Sequence, residues 1–325
     1  FFFHAEDGIR DRSPSRGLGD VYKRQFKTHL LKVSDIHEIY VEEYGNPHGI
    51  PMLFLHGGPG AGTSPIYQKF FDPKKYHLIM FDQRGCGKSK PYGETKENTT
   101  SDLISDINLI LENFSIDKIN IYGGSWGSTL ALLYAENNPE RVATLTLRGV
   151  FLCRSDDIKW FYQHGASEIY PHYWEKYLSI VSKSKRNDIL SAYHEMIHSS
   201  NEITSKRACK EWSLWEGRSS CLLPSNEVID AFDECAISLA KIESHYFIND
   251  CFIEENQILK NINLISDIPC WIVHGQYDVV CPIRQAYDLQ VVYPKSNLII
   301  AKDAGHSVLE PTISKELVKI FDDII

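Results

Sequence analysis

The 325-residue sequence has no long apolar run, no closely spaced pair of cysteines and no excess of basic residues. A membrane-spanning helix needs about 18 consecutive apolar residues, and no segment reaches that length. The chain also does not start with the basic and apolar segments of a secretory signal peptide. With 34 basic and 43 acidic residues, the net charge of −9 argues against nucleic acids and anionic membranes as partners. We therefore expect a cytoplasmic protein.

The eight cysteines are scattered singly, without a C-x-x-C pair. Because the chain is long and shows no export signal, we expect reduced thiols rather than a disulfide framework. No second histidine lies at ligand spacing from His56, so we predict no metal there. The hydrophobic fraction of 43% and the charged fraction of 24% are typical of a globular protein with a large core.

Residues 1–25 differ from the remainder of the chain. The stretch 6–17 has neither a strand period nor a helix period, and it resembles translated sequencing-adapter sequence. A disordered native tail is the alternative interpretation. We treat residues 1–25 as a non-native or disordered leader and exclude them from the fold prediction.

From residue 26 onward, short apolar runs bounded by glycine or proline alternate with segments of helical period. Such runs are typical of strands buried on both faces of a parallel sheet. Two exposed strands are predicted over 29–33 and 38–42. Buried strands are predicted over 52–55, 78–81, 119–122, 143–147, 270–273 and 298–301, and helices over 100–114, 128–137, 284–292 and 314–321. The alternation indicates an α/β fold with a mostly parallel central sheet and helices on both faces.

The stretch 153–263 interrupts this alternation. It lacks convincing buried strands, is rich in helix-forming residues and contains four of the six tryptophans. We predict an inserted helical cap domain over 153–263, above a core domain formed by 26–152 and 264–325. Ordinary outer-layer helices are the alternative, which the length of the stretch disfavours.

A candidate nucleophile lies in the sequence GGSWG at residues 123–127. The motif G-x-S-x-G follows a predicted strand and precedes a predicted helix, which is the strand–turn–helix context that the motif requires. In so tight a turn only residues without a Cβ fit on either side of the serine. We predict that Ser125 is exposed at a helix N-terminus and acts as the nucleophile.

A serine nucleophile needs a base, and the base needs an orienting carboxylate. In the fold that typically carries this nucleophile turn, these follow the serine in the order Asp or Glu, then His. Asp278 follows the predicted strand 270–273, and His306 follows the strand 298–301. Alone, each suits a turn or a surface position. In this order, at the carboxyl ends of two parallel strands, they predict a triad of Ser125, Asp278 and His306.

The sequence HGGPG at residues 56–60 follows the strand 52–55. A glycine-rich turn there can direct a backbone N–H at a substrate carbonyl oxygen, and the residue after the nucleophile supplies a second. We predict an oxyanion hole formed by Gly58 and Trp126. Asp82 and Arg84 are expected to brace the oxyanion loop. Their segment is not a phosphate-binding loop, because G-x-x-x-x-G-K-[ST] is not met.

Taken together, the motifs resemble the α/β-hydrolase superfamily and, more closely, the prolyl iminopeptidases (proline iminopeptidases), which release N-terminal proline from peptides. The resemblance runs from about residue 26 to the C-terminus. Its core motifs, shared with many esterases, are LHGGPG (55–60), DQRGCG (82–87), GGSWGS (123–128) and LRGVFL (147–152). Its more specific motifs lie in the cap: WSLWEG (212–217) and IESHYF (242–247).

The resemblance implies a serine exopeptidase that works through an acyl-enzyme without a cofactor or a metal, on small peptides with N-terminal proline. It assigns the substrate's free amino group to Glu216 and Glu243. Burying a cationic amine is costly unless carboxylates pair with it, which agrees with that role. Trp215, Tyr246 and Phe247 suit a pocket for a pyrrolidine ring, and they suit helix packing almost as well.

The same core also occurs in proteins with other functions. A carboxylesterase or other acyl hydrolase would share the core and is favoured if Glu216 and Glu243 do not face the pocket. A catalytically silent binding protein is disfavoured by the intact triad and oxyanion loop. Dehalogenases and epoxide hydrolases are disfavoured because they use an aspartate at the position of Ser125. Oligomeric state does not follow from the sequence.

Overall fold

The structure is a computed structural model that describes residues 26–323. The predicted leader, 1–25, lies outside the described residues. The strands are β1 (Phe26–Lys32), β2 (Glu38–Gly45), β3 (Ile50–Leu55), β4 (Tyr76–Asp82), β5 (Ile119–Gly124), β6 (Val142–Arg148), β7 (Cys270–Gly275) and β8 (Ser296–Ala301).

Twelve α-helices are present in the described part of the chain. Four are associated with the sheet: α1 (Thr100–Asn113), α2 (Trp126–Asn137), α11 (Arg284–Val292) and α12 (Pro311–Asp323). Eight lie between β6 and β7: α3 (Ser155–Tyr162), α4 (Ala166–Ile169), α5 (Pro171–Leu178), α6 (Ile189–Ile197), α7 (Glu202–Ser219), α8 (Asn226–Glu234), α9 (Ala236–Ile248) and α10 (Gln257–Asn261).

The eight strands form one sheet in the order β1-β2-β4-β3-β5-β6-β7-β8. The β1–β2 and β2–β4 pairs are antiparallel, and all other neighbouring pairs are parallel. This arrangement confirms the predicted α/β fold with a mostly parallel central sheet. No strand is found between β6 and β7 in the described structure, where the helical cap is predicted; the division into two domains stays a prediction.

Side chains of the central strands alternate between two cores, one on each face of the sheet. In β3, Leu53 and Leu55 belong to the larger cluster, whereas Met52 and Phe54 belong to the cluster that packs under α12. Successive side chains of a strand point to opposite faces, so a strand covered on both sides has to be apolar throughout. This is why the central strands are continuous apolar runs.

The edge strand β8 departs from the prediction. It was expected to be buried on both faces, but Ile300 is 43% exposed and the burial of β8 is only partial. The reason is its position at the end of the sheet, where it has a neighbouring strand on one side only.

Within residues 26–323, no helix is long and apolar enough to cross a membrane.

The cysteines are not all reduced thiols, which corrects the expectation from the sequence. Cys153, just after β6, is joined by a disulfide to Cys251, just after α9. The two lie 98 residues apart, so their spacing gives no sign of the pairing. The bond closes a loop that contains most of the helices between β6 and β7. The six other cysteines are free.

Replacing Cys153 with serine is expected to lower the free energy of unfolding by about 2–4 kcal/mol, because a crosslink over a long loop restricts the unfolded chain. Urea unfolding of the oxidised wild type and the variant would measure the loss. Dithiothreitol should destabilise the wild type to a similar degree and leave the Cys153→Ser variant unchanged. Equal stability of wild type with and without reductant would contradict the prediction.

Candidate active site

Ser125 lies in the sharp turn between β5 and α2. Its backbone has φ +57° and ψ −126°, a strained conformation for a residue with a Cβ. A Cβ on Gly123 would lie 2.1 Å from the carbonyl oxygen of Gly127, and a Cβ on Gly127 would lie 2.0 Å from that of Leu55. The two flanking glycines are therefore required by backbone contacts within the turn and with β3.

The carboxyl ends of β7 and β8 bring Asp278 and His306 together. Nδ1 of His306 and Oδ2 of Asp278 are 2.7 Å apart, and the backbone N–H of Cys281 donates to Asp278 Oδ1 at 2.8 Å. Burial, the largest single influence, acts to raise the pKa of Asp278, but His306, His274 and the Cys281 N–H together outweigh it, and the net pKa is lowered. Burial lowers the pKa of His306 below its usual value in spite of the Asp278 charge. The resting pair is thus a carboxylate beside a neutral imidazole.

Arg148, the last residue of β6, occupies the other side of the imidazole. Its Nη1 donates to His306 Nε2 at 3.1 Å and to the His306 carbonyl oxygen at 2.9 Å. No hydrogen bond joins Ser125 Oγ to His306 within residues 26–323. The predicted triad residues are therefore assembled only in part: Asp278 and His306 are paired, whereas the serine is not. Arg148 was not predicted, although its place at the end of a central strand was a usable signal.

Gly58 and Trp126 lie beside Ser125, as the oxyanion-hole prediction requires. Gly58, with φ +105°, lines the same cavity as Ser125. Trp126 is the first residue of α2, so its backbone N–H has no acceptor within the helix. Its indole N–H donates to Gln83 Oε1 at 2.9 Å, which fixes the side chain away from the cavity. The role of these two N–H groups stays a prediction.

The bracing of the oxyanion loop is partly different from the prediction. Asp82 does brace it, because its Oδ1 accepts hydrogen bonds from the backbone and the hydroxyl of Thr63 at 2.6 and 2.8 Å. Arg84 instead forms a buried bidentate pair with Asp106 of α1. The residue that the prediction missed is Gln83, whose side-chain N–H donates to the carbonyl oxygen of His56 at 3.0 Å.

A cavity opens beside Ser125 between the core strands and the helices that follow β6. It is lined by Gly58, Ser125, Phe151, Asp157, Ile158, Phe161, Tyr162, Glu216, Glu243, Phe247, Val280 and Cys281. Three of the aromatic residues, at positions 151, 161 and 162, were not predicted as site residues. Position 151 follows the end of β6, which is again the sheet edge where site residues gather.

Glu216 of α7 and Glu243 of α9 both face this cavity and are almost completely buried. Glu243 Oε2 accepts a hydrogen bond from the indole of Trp212 at 2.6 Å and one from Tyr162 at 3.5 Å. Glu216 Oε2 has no hydrogen-bond partner in the described part of the chain. A third carboxyl group of the lining, Asp157, is paired with Arg154. Glu216 and Glu243 have no such cation partner among the described residues.

Burial raises the pKa of Glu216 to about 7. Burial, and then the charge of Glu216, raises the pKa of Glu243 well above its usual value. Two adjacent carboxyl groups in a poorly solvated cavity cannot both ionise at low cost. At neutral pH the pair therefore retains a proton, and a cation that enters the cavity would favour its release.

Two of the predicted pocket residues, Trp215 and Tyr246, are not among the residues that line this cavity. Trp215 donates its indole N–H to the carbonyl oxygen of Phe161 and packs in the core behind the cavity. Tyr246 donates to Asn98 and packs its ring against Trp126. Neighbouring residues of a helix point about 100° apart, so Trp215 cannot share the direction of Glu216. Of the three predicted aromatic residues, Phe247 lines the cavity.

Replacing Glu216 with glutamine is expected to raise the stability of the protein, relative to the wild type, more at high pH than at low pH. A carboxyl whose folded pKa is raised stabilises the fold fully below about pH 4.5, and this contribution is lost as the pH rises through about 7. When the pH rises from 4.5 to 8, the free energy of unfolding of the variant, relative to that of the wild type, should therefore increase by up to about 3 kcal/mol. Urea unfolding at both pH values measures the difference, and an equal difference at both would contradict the expectation.

Comparison with known proteins identifies the fold family and close relatives. A sequence family described as the alpha/beta hydrolase fold matches residues 50–311. A probable proline iminopeptidase of Leptolyngbya boryana is 47% identical over 303 residues, which cover 92% of this chain and 94% of that protein. The proline iminopeptidase of Xylella fastidiosa strain 9a5c is 44% identical, over 92% of this chain and 97% of that one.

Solved structures agree at the level of the fold. The bromoperoxidase of Bacillus anthracis superimposes with a TM-score of 0.66 at 18% identity, covering 91% of this chain and all of that one. The esterase RhEst1 of Rhodococcus sp. ECU1013 gives a TM-score of 0.65 at 17% identity, covering 92% and 99%. Identities this low carry the fold and not the activity. With relatives at 44–47% identity over more than nine tenths of its length, the chain belongs to the proline iminopeptidase family of the α/β-hydrolase fold.

Proposed function

We propose that this protein is a serine exopeptidase that releases N-terminal proline from peptides through an acyl-enzyme. The observation that carries the proposal is the pair of buried carboxyl groups, Glu216 and Glu243, in the cavity that Ser125 lines. A general esterase has no use for two desolvated carboxyl groups, which are costly to bury without a partner. The names of the curated relatives support the same activity.

In the proposed mechanism, Ser125 Oγ attacks the carbonyl carbon of the N-terminal residue while His306 Nε2 takes its proton. Asp278 holds the imidazole and stabilises the imidazolium. The backbone N–H groups of Gly58 and Trp126 stabilise the oxyanion. His306 then gives the proton to the leaving amine, and water attacks the acyl-enzyme to release proline. For the first step, His306 Nε2 has to exchange its contact with Arg148 for one with Ser125 Oγ.

The substrate's ammonium group is proposed to lie between Glu216 and Glu243. Its positive charge would replace the shared proton, so that both carboxylates are ionised in the complex. Phe151 and Phe247, whose rings are 5.8 Å apart and perpendicular to each other, offer apolar surface to a pyrrolidine ring. Because the site is built for a charge, an uncharged N-terminus should be rejected strongly: the buried carboxyl groups would then lack a partner.

The test compares three substrates: prolyl-p-nitroanilide, its N-acetylated form and p-nitrophenyl acetate. The proposal predicts rapid cleavage of the free-amine anilide and at least about a hundredfold loss of kcat/KM on acetylation, because a paired, buried charge is worth several kcal/mol. Fast hydrolysis of the acetate alone would leave a serine hydrolase but contradict the peptidase, and would support the carboxylesterase alternative.

The cytoplasmic location also stays a proposal, together with small peptides as the substrates. The Cys153–Cys251 disulfide bears on it, because such bonds are rare in reducing compartments. Alkylation of thiols in acid-quenched cells, followed by mass spectrometry of the two cysteines, would report the redox state in the producing cell. A fully oxidised pair would argue for an oxidising compartment.

A further inference from the structure

A second chemical motif lies in the helices between β6 and β7, and the peptidase mechanism does not use it. Residues 194–198 read HEMIH, which matches the pattern H-E-x-x-H. On a helix this spacing places two histidines on one face, where both can bind one metal ion. His194 lies in the last turn of α6, and His198 directly follows the helix, as its C-terminal cap.

The structure directs both imidazoles at one point. Nδ1 of His194 is 3.3 Å from the hydroxyl oxygen of Ser244, and Nε2 of His198 is 3.4 Å from the same oxygen. The two rings lie side by side, with centroids 4.4 Å apart. Ser244 belongs to α9, so the convergence depends on the packing of α9 against α6. The hydroxyl also lies 3.3 Å from the Lys241 carbonyl oxygen, and with one proton it can donate to only one of these three acceptors at a time.

The surroundings distinguish this cluster from a metallopeptidase centre. Glu195, the motif's acidic residue, is 61% exposed and pairs with Lys185. Within residues 26–323, no group of three His, Cys, Asp or Glu side chains could hold a metal ion. A hydrolytic zinc site usually has three protein ligands and an acid–base glutamate at the metal-bound water. The cluster lacks both, so hydrolysis at this place is not expected.

We propose that His194 and His198 form a two-histidine binding site for a divalent transition-metal ion, with Zn²⁺ as the probe. Imidazole nitrogens are suitable ligands for Zn²⁺, Cu²⁺ and Ni²⁺. Ser244 Oγ and water would complete the coordination. His198 is exposed in part, so the ion can reach the site from solvent. The site is separate from the cavity beside Ser125 and does not depend on the proposed peptidase activity.

Isothermal titration of the full chain with ZnCl₂ at pH 7.5, without a histidine tag, tests the proposal. Neutral imidazole predominates at this pH because its ordinary pKa is about 6.5. We expect one Zn²⁺ per chain, affinity at least about tenfold weaker in His194→Gln or His198→Gln, and no binding in the double variant. His48→Gln is the matched control, since His48 is exposed in the turn between β2 and β3. It should bind as the wild type does.

Two further measurements make the result decisive. Cu²⁺ should bind more tightly than Zn²⁺ and show an electron paramagnetic resonance spectrum with nitrogen ligands, both absent from the double variant. Unchanged metal-free melting temperatures would show that the variants fold. Equal Zn²⁺ binding by wild type and double variant would place the metal elsewhere, for instance on a free thiol, and overturn the proposal. So would a wild-type dissociation constant weaker than about 1 mM.

Discussion

Replacing Ser125 with alanine is expected to lower kcat for prolyl-p-nitroanilide by about five to six orders of magnitude. Removing the nucleophile from a serine hydrolase removes the covalent path, and only binding and oxyanion stabilisation remain. The change deletes one oxygen in a turn whose backbone contacts are fixed by glycines, so the fold should be retained. Single-turnover and steady-state assays with highly purified protein would measure the loss.

The matched control is Ser101→Ala, which alters an exposed serine of α1 and should retain wild-type activity. Labelling by a fluorophosphonate probe should occur in the wild type and the control and be absent from Ser125→Ala. If Ser125→Ala kept more than about one per cent of kcat, the proposed nucleophile would be wrong. Absence of labelling in the wild type would instead support the catalytically silent binding protein.

Replacing Glu243 with glutamine is expected to lower kcat/KM for prolyl-p-nitroanilide by about 30- to several thousand-fold. This range corresponds to the roughly 2–5 kcal/mol lost when one partner of a buried charged pair is removed. Glutamine keeps the shape of the side chain but cannot balance an ammonium group. Hydrolysis of p-nitrophenyl acetate, which has no amine, should remain within about threefold of the wild type.

The comparison of the two substrates separates recognition from structural damage. A variant that merely disturbs the cavity would lose both activities together. Glu227→Gln, which removes an exposed negative charge from α8, is the matched control and should change neither. An equal loss on both substrates, or no loss on the anilide, would contradict the role proposed for Glu243.

Much of the core could be predicted because its signals are local. The helix predicted over 284–292 is found at Arg284–Val292, and each predicted strand lies within an observed one except at the C-terminal end of β1. A buried parallel strand needs apolar side chains on both faces, and this requirement shows as a continuous run. The edge strand β8 is an apolar run but is only partly buried, because an apolar run cannot reveal whether a strand has one neighbouring strand or two.

The candidate site could be predicted only where it depends on chain order and turn chemistry. The glycines around Ser125, and the loops that carry Asp278 and His306, follow from strand ends that the sequence marks. Gln83 carried no such local signal, because its contact is with His56 in another loop. Arg148 lies at a strand end, which the sequence marks, but its contact with His306 joins residues 158 positions apart and has no local signature. The role of a residue that acts through a contact can be recognised only when the tertiary structure shows its partner.

The sequence by itself determined the strand–helix alternation, the turn that presents Ser125 and the order of the residues after it. Those features depend on side-chain period and on backbone conformations that glycine permits, both of which are local properties of the chain. Tertiary structure decided which face of α7 meets the cavity, so that Glu216 enters it and Trp215 does not. It also joined Cys153 to Cys251. These outcomes depend on the packing of helices far apart in sequence, and a local pattern contains no information about which helix will be the neighbour.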